Sequence, residues 1–134
     1  MAERKAALQV LDRKTYAADT PIFRQGDPGN AAYIVQSGEI EIWVTDDGGK
    51  TVLGTIKAGG IFGEMSLIDN SARMASATAI ESSVCIVIPD RLFQEKISEA
   101  DSFVVALLRI FCSNIRSMQE TGSDLTGELA DPKP

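Results

Sequence analysis

The chain has 134 residues, 44% hydrophobic and 24% charged, with a formal net charge of −6. That describes one soluble, globular domain with room for a real core, and its acidic balance argues against a duplex DNA or other polyanion surface. Histidine is absent and no G-x-x-x-x-G-K-[ST] loop occurs, which removes imidazole-based catalysis, H-E-x-x-H zinc sites and P-loop nucleotide hydrolysis.

Residues 3–13 have the pattern of a short helix, with Leu8 and Leu11 on one apolar edge. Met1 to Lys14 carries no apolar signal-peptide core, and no apolar run in the chain is long enough for a membrane span. From Thr15 to Ile88 the pattern is one of short β-rich segments between turns. The turn signals are Asp27-Pro28-Gly29-Asn30, Ser37-Gly38, Asp46 to Gly49, Ala58-Gly59-Gly60 and Asp69-Asn70. Signals about every ten residues predict a sandwich or barrel. Ile40, Ile42 and Val44 alternate with Glu39, Glu41, Trp43 and Thr45, which predicts a half-buried strand. Trp43 falls on its polar side, either as a partly covered surface residue or as a contact for a partner. Asp46 and Asp47 are an adjacent carboxylate pair, but Gly48-Gly49 follows them, so they read as a solvated hairpin turn rather than an acid–base pair. No enzyme activity is expected.

Residues 62–76 combine several chemical features. Gly59, Gly60 and Gly63 precede a one-turn apolar helical pattern of Met65, Leu67 and Ile68. Glycines let backbone approach a ligand closely, and free N–H groups at a helix start favour an anion. Glu64 stands at that start as an acceptor. Asp69-Asn70-Ser71 ends the helix with turn chemistry. Arg73 follows inside an otherwise uncharged run from Ser71 to Ile80. One loop–helix–loop thus offers N–H groups and a guanidinium to a phosphate, and a carboxylate to a hydroxyl. The set suits a small sugar phosphate with a single negative charge. The strand of small residues that follows, Ala75 to Ala79, would let such a ligand lie close to the barrel wall.

Pro89 to Phe93 opens a short helix to about Ile97, and a longer one runs from near Ser102 to about Glu120. On the longer helix Phe103, Leu107 and Ile110 form one apolar line. Val104, Leu108, Phe111, Ile115 and Met118 form another, with the spacing of a short heptad seam. Together they are wider than the stripe of a helix that packs on one surface. One line can cover the barrel while the other meets a second copy in a homodimer; a single deep groove in the same domain would also take both. Cys85 and Cys112 read as buried, reduced thiols, which suits the cytoplasm. Gly122-Ser123 stops the helix, and residues 122–134 read as an acidic, flexible tail.

The run Phe62-Gly63-Glu64, Met65, Ser66, Leu67, Ile68, a four-residue spacer, then Arg73-Met74-Ala75-Ser76 resembles the phosphate-binding cassette of the cyclic-nucleotide-binding domain family. The spacing from Glu64 to Arg73 is that of the shorter family cassettes. Pro21 to Asp27 resembles the family's early strand and Gly-Asp turn, and Tyr33 to Ile40 its next hairpin. The likeness runs over about residues 8–120. Two positions depart from the pattern: Ala72 stands where proline is frequent, and Met74 where Ser, Thr or Ala is usual.

The resemblance implies an α+β fold: an antiparallel jelly-roll (double-stranded β-helix) barrel with a short N-terminal helix, a cassette helix and C-terminal helices. The domain would span 1–121, with the barrel at about 15–88 and the C-terminal helices at about 90–120. It implies that Glu64 holds the ribose 2′-hydroxyl and Arg73 the cyclic phosphate. Backbone N–H groups of Gly63 and Ala75 complete the shell, and Met65, Ser66 and Met74 line it. No catalytic residue, metal or cofactor is implied. Met74 lacks the hydroxyl that would favour a guanine 2-amino group, so cAMP is expected over cGMP. The implied function is a catabolite-activator-protein-like sensor without a helix-turn-helix, hence no direct DNA binding. Its C-terminal helices would re-dock on ligand capture about a hinge near Pro89 to Arg91 and act on an unknown effector protein. The Met1 start and the tail suit a stand-alone gene product. The alternatives are an interaction module whose pocket has lost its ligand, and a regulatory domain excised from a channel, kinase or transcription factor.

Overall fold

The computed structural model of the protein describes residues 11–120. Its strands are β1 (Arg13–Tyr16), β2 (Thr20–Phe23), β3 (Ala31–Ser37), β4 (Glu39–Asp46), β5 (Gly49–Lys57), β6 (Ile61–Phe62), β7 (Ser76–Ala79) and β8 (Ser83–Pro89). Its helices are α1 (Met65–Asp69), α2 (Asp90–Glu99) and α3 (Ser102–Glu120). The strands form two antiparallel sheets, ordered β1-β8-β3-β6 and β2-β7-β4-β5. Together they make a jelly-roll-like sandwich, the α+β architecture that the turn spacing and the resemblance predict.

The expectation of a helix over 3–13 fails at its C-terminal end. Residues 3–10 lie outside the described residues, but Leu11 and Asp12 are not helical and Arg13 already opens β1. Sheet pairing wins here over local pattern: Arg13 to Tyr16 register against Ile86 to Ser83, and the Val87 N–H donates to the Asp12 carbonyl at 2.9 Å. The tail expected from residue 122 also lies outside the described residues.

Alternation in β4 has the expected outcome. Ile40 and Val44 are buried, while Trp43 is half-covered, with its Nε1–H donating to Thr78 Oγ1 at 3.0 Å and Lys50 Nζ 4.9 Å above its ring. The core between the sheets gathers Tyr33, Val35, Ile40, Phe62, Ala77, Ala79 and Cys85. Tyr33 stacks on Phe62 with centroids 5.0 Å apart, and Phe23 lies 6.0 Å from both rings. Asp46 and Asp47 form the β4–β5 hairpin turn, where Asp46 Oδ1 accepts the Gly48 N–H at 2.8 Å. The register shifts where Ile42 pairs with Gly54 but Trp43 with Val52, which leaves Leu53 as a bulge in β5.

Helix α3 docks differently from the expectation. Neither apolar line covers the sandwich: Phe103, Ile110, Phe111 and Ile115 are all exposed. The buried residues of α3 are Val105 and Cys112, seven apart and therefore on one face, and this face meets α1. The docking face is narrower and more polar than the two sequence lines, so hydrophobicity alone pointed to the wrong side. Asp101 caps the helix, its Oδ1 accepting the N–H groups of Phe103 at 2.8 Å and Val104 at 3.3 Å.

The β3–β4 corner depends on Gly38. Its φ is +95°, and a Cβ there would sit 2.1 Å from Ser83 Oγ and 2.6 Å from Ser83 Cα. Ser83 cannot retreat, because its fully buried hydroxyl accepts the Glu39 N–H at 3.1 Å and donates to the Glu81 carbonyl at 2.8 Å. Gly38→Ala therefore combines left-handed strain with overpacking and should lower stability by about 2 kcal/mol. Urea unfolding checks this; an unchanged midpoint would contradict the role of the corner.

Candidate functional site

The site is built where β6 passes into α1 and where the chain returns into β7. At Gly63 the backbone has φ +80°, and a Cβ would stand 3.0 Å from Arg73 Nη1 and 3.1 Å from the Phe23 ring. Only glycine fits both demands. Glu64 precedes α1 with helical angles, and its carbonyl accepts the N–H groups of Leu67 and Ile68, each at 3.0 Å. Its side chain makes no capping bond. Asn70 ends the helix in the left-handed region, with φ 55°. The returning strand is pinned to the Gly26-Asp27 turn: the Arg73 N–H donates to the Asp27 carbonyl and the Gly26 N–H to the Arg73 carbonyl, each at 2.8 Å.

Arg73 is only 3% exposed. Its Nη1 donates to the Gly63 carbonyl at 2.5 Å and its Nη2 to the Ala31 carbonyl at 2.6 Å. The guanidinium carbon lies 4.0 Å from the centroid of the Phe23 ring, a cation–π contact. Its buried Nε–H has no hydrogen-bond partner among the described residues. Burial draws the guanidinium pKa down, while Tyr33, Asp27 and Glu64 push it back up. Glu64 is the counterpart. Burial raises its carboxyl pKa, and a bond to its own backbone and the charge of Arg73 oppose the rise.

Gly63, Glu64, Met65, Ser66, Arg73, Met74 and Ala75 all line one cavity of about 180 Å³. The seven residues expected at the site are therefore brought together, while Gly59 and Gly60 are not among the lining residues. Sequence reasoning missed the rest of the wall, which is Phe23, Ile42, Ile56, Ile61 and Phe62. It also missed the Ala31 carbonyl that holds Arg73. Ile42 was legible as an inward position of an alternating strand; Ile56 and Ile61 join it only through the β4–β5 and β3–β6 pairings. The arrangement is an apolar chamber with one fixed cation and one desolvated carboxylate. It can hold an anion that also carries a hydroxyl donor.

Residues 13–100 match the family described as the cyclic nucleotide-binding domain. The chain belongs to that family. Over 76 residues it is 45% identical to the cyclic AMP receptor protein of Thermus thermophilus, covering 56% of this chain and 35% of that one. Over 129 residues it is 31% identical to the cAMP-dependent protein kinase regulatory subunit of Candida albicans, covering 96% of this chain and 27% of that one. Among solved structures, the EAL enzyme Bd1971 in its cAMP-bound form superposes with a TM-score of 0.78 at 35% identity, over 85% of this chain and 30% of that one. The same enzyme in its cGMP-bound form gives 0.76 at 34% identity, over 84% and 30%. The chain thus spans about a third of the length of these relatives. This cyclic nucleotide-binding domain is a regulatory, ligand-binding unit, and the matched region is a binding domain rather than a catalytic one. Among the described residues no helix is long and apolar enough to cross a membrane.

The raised Glu64 pKa has a consequence for stability. Between the ordinary value of 4.5 and the raised one, the folded state binds a proton that the unfolded state has lost. Glu64 therefore favours folding at low pH, and that contribution is lost as pH rises through the folded pKa. Glu64→Gln removes the buried charge, so its Tm should exceed the parent's at pH 7, with the gap closing as pH falls towards 4.5. If Glu64 holds a ligand hydroxyl, as the resemblance implies, the same variant should bind nucleotide about tenfold more weakly, since a charge-assisted hydrogen bond is then lost. Thermal melts across pH and one titration check both; a lower Tm than the parent at pH 7 would contradict the desolvation argument.

Proposed function

We propose that this domain senses a cyclic nucleotide, cAMP in preference to cGMP, and reports it by re-docking its C-terminal helices. The observation that carries the reading is Arg73, a buried guanidinium with an unpartnered Nε–H, in the wall of a cavity that also holds Glu64. Of the five N–H donors of a guanidinium, two are taken by backbone carbonyls. The rest suit the oxygens of a cyclic phosphate, and Glu64 suits the ribose 2′-hydroxyl. Backbone N–H groups of Gly63 and Ala75 supplement them, and Met65, Ser66 and Met74 border the ligand. The isoleucine wall receives the purine. The ligand is bound and not turned over.

The preference for cAMP rests on Met74. A guanine 2-amino group buried beside a thioether loses a partner, at about 1–3 kcal/mol, whereas the methionine packs well against an adenine face. The names of two relatives carry cAMP, while Bd1971 is known with either nucleotide, so the residue is the stronger argument. Calorimetric titration with both nucleotides tests the reading. Parent protein should bind cAMP at least tenfold more tightly than cGMP. Arg73→Ala and Arg73→Lys should each weaken cAMP by tenfold or more, since lysine lacks the planar fork. Met74→Thr should raise cGMP affinity more than cAMP affinity. Unaltered binding in Arg73→Ala would overturn the phosphate assignment.

In this reading residues 1–121 are the sensing unit, 122–134 a tail, and the cytoplasm the place of action. Re-docking turns on a hinge near Pro89 to Arg91, where β8 passes into α2. The signal passes to an effector or to a second copy through α3, without contact to DNA. The exposed face of α3, with Phe103 72%, Ile110 54%, Phe111 52% and Ile115 44% exposed, supports pairing with the same helix of another chain. Phe111→Glu together with Ile115→Glu should then give a monomer. Sedimentation equilibrium decides; a parent that stays monomeric at high concentration, with and without nucleotide, would sink the pairing.

A further inference from the structure

Helix α1 is five residues long, and a helix of under two turns does not hold itself together in water. Its two ends face different partners. Glu64, Met65 and Ser66 line the nucleotide cavity. The carbonyls at its other end have no further turn of helix to bond to, and α2 and α3 supply the donors. Gln94 Nε2 donates to the Leu67 carbonyl at 2.7 Å while held by Asp90 Oδ1 at 3.0 Å. Arg109 Nε donates to the Ile68 carbonyl at 3.2 Å. Arg116 does most: its Nε and Nη2 grip both oxygens of Asp69, and its Nη1 donates to the Ala72 carbonyl at 3.0 Å. The Asp69 and Arg116 side chains are 14% and 20% exposed, so this forked pair is largely shielded from solvent.

We propose that Arg116 is a positioning residue for the nucleotide pocket. By closing the C-terminal end of α1 it holds Glu64 and Ser66 against the ligand, and so ties nucleotide affinity to the docking of α3. The proposal rests on the nucleotide reading above and deepens it by naming the contact through which pocket and C-terminal helix sense each other. A lever of five residues leaves little slack. When Arg116 releases Asp69 and Ala72, both flanks of the spacer that leads into Arg73 are freed together. Coupling of this kind is reciprocal, so the ligand must tighten the docking of α3 by the factor that docking adds to its affinity.

The chain carries its own probes. Its two cysteines, Cys85 and Cys112, are both free and buried. Cys112 lies on the docking face of α3, where the charges of Asp69, Arg116 and Glu64 reach it. Cys85 lies in the core between the sheets. Release of α3 exposes Cys112 alone, and unfolding exposes both.

The test is cAMP calorimetry and labelling with an aromatic disulfide reagent on the full 134-residue chain, for the parent, Arg116→Ala, Arg116→Lys, and Asp69→Arg combined with Arg116→Asp. Arg116→Ala should bind cAMP about fivefold to tenfold more weakly and label faster at Cys112 only. cAMP should slow Cys112 labelling in the parent far more than in the variant. Arg116→Lys should behave similarly, because the fork is lost, and the charge swap should recover part of both readouts. Parent-like affinity and labelling in Arg116→Ala would overturn the proposal. If Arg116→Ala opens both thiols and is therefore unfolded, Arg116→Lys decides on the same two readouts. A parent that binds neither cAMP nor cGMP overturns the nucleotide reading instead. Cys112 labelling still tells whether Arg116 holds α3, so the two failures are separate.

Discussion

The structure depends on keeping one guanidinium charged inside the protein. Moving a cation out of water is worth several kcal/mol against the fold unless its surroundings answer it. For Arg73 the answers are the carbonyls of Gly63 and Ala31, the face of Phe23 and the more distant charges of Asp27 and Glu64. They come from separated stretches of the chain, residues 23–27, 31 and 63–64, so the sandwich must be assembled before the charge is tolerable. The Nε–H is left without a partner among the described residues, and in the proposed reading it and the spare hydrogens of the fork meet the ligand. In that reading the burial that makes Arg73 costly to the fold also strengthens its hold on an anion.

Glu64 completes the balance. Its carboxylate is also desolvated, and each of the two charges moderates the other's shift. A site that satisfied both groups internally would leave nothing for a ligand. The apolar wall serves the same end, because isoleucines from β4, β5 and β6 line the cavity without offering hydrogen bonds. The strand of small residues behind Arg73, with Ala75, Ala77 and Ala79 nearly inaccessible, brings the sheet close to the cavity.

Much of this was legible in order along the chain. The Gly63–Glu64 turn, the short apolar helix, the Asp69-Asn70 break and the lone Arg73 are local features, and local features follow from φ/ψ preference, capping and turn chemistry. The alternation in β4 was legible for the same reason, since strand period and burial coincide there. Less of the C-terminal helix was legible. Hydrophobic spacing marked Phe103, Val104, Phe111 and Ile115, yet these stay exposed, and the docking side is Val105 and Cys112 with Arg109 and Arg116. A polar docking face has no hydrophobic period to read. Nor could the N-terminal pattern reveal that Arg13 to Tyr16 would be claimed by β8, some 70 residues later by register.

By itself the sequence determined most of the elements, the turns between them and the cassette residues that face the cavity, because each of those is set within a few residues by backbone sterics and side-chain chemistry. Tertiary structure alone decided what those groups experience. Phe23 comes under Arg73, the Ala31 carbonyl against its Nη2, and Arg116 onto Asp69 only when distant segments are packed together. The pKa shifts of Glu64 and Arg73 belong to the same class, since desolvation is a property of the assembled surroundings and not of any stretch of chain.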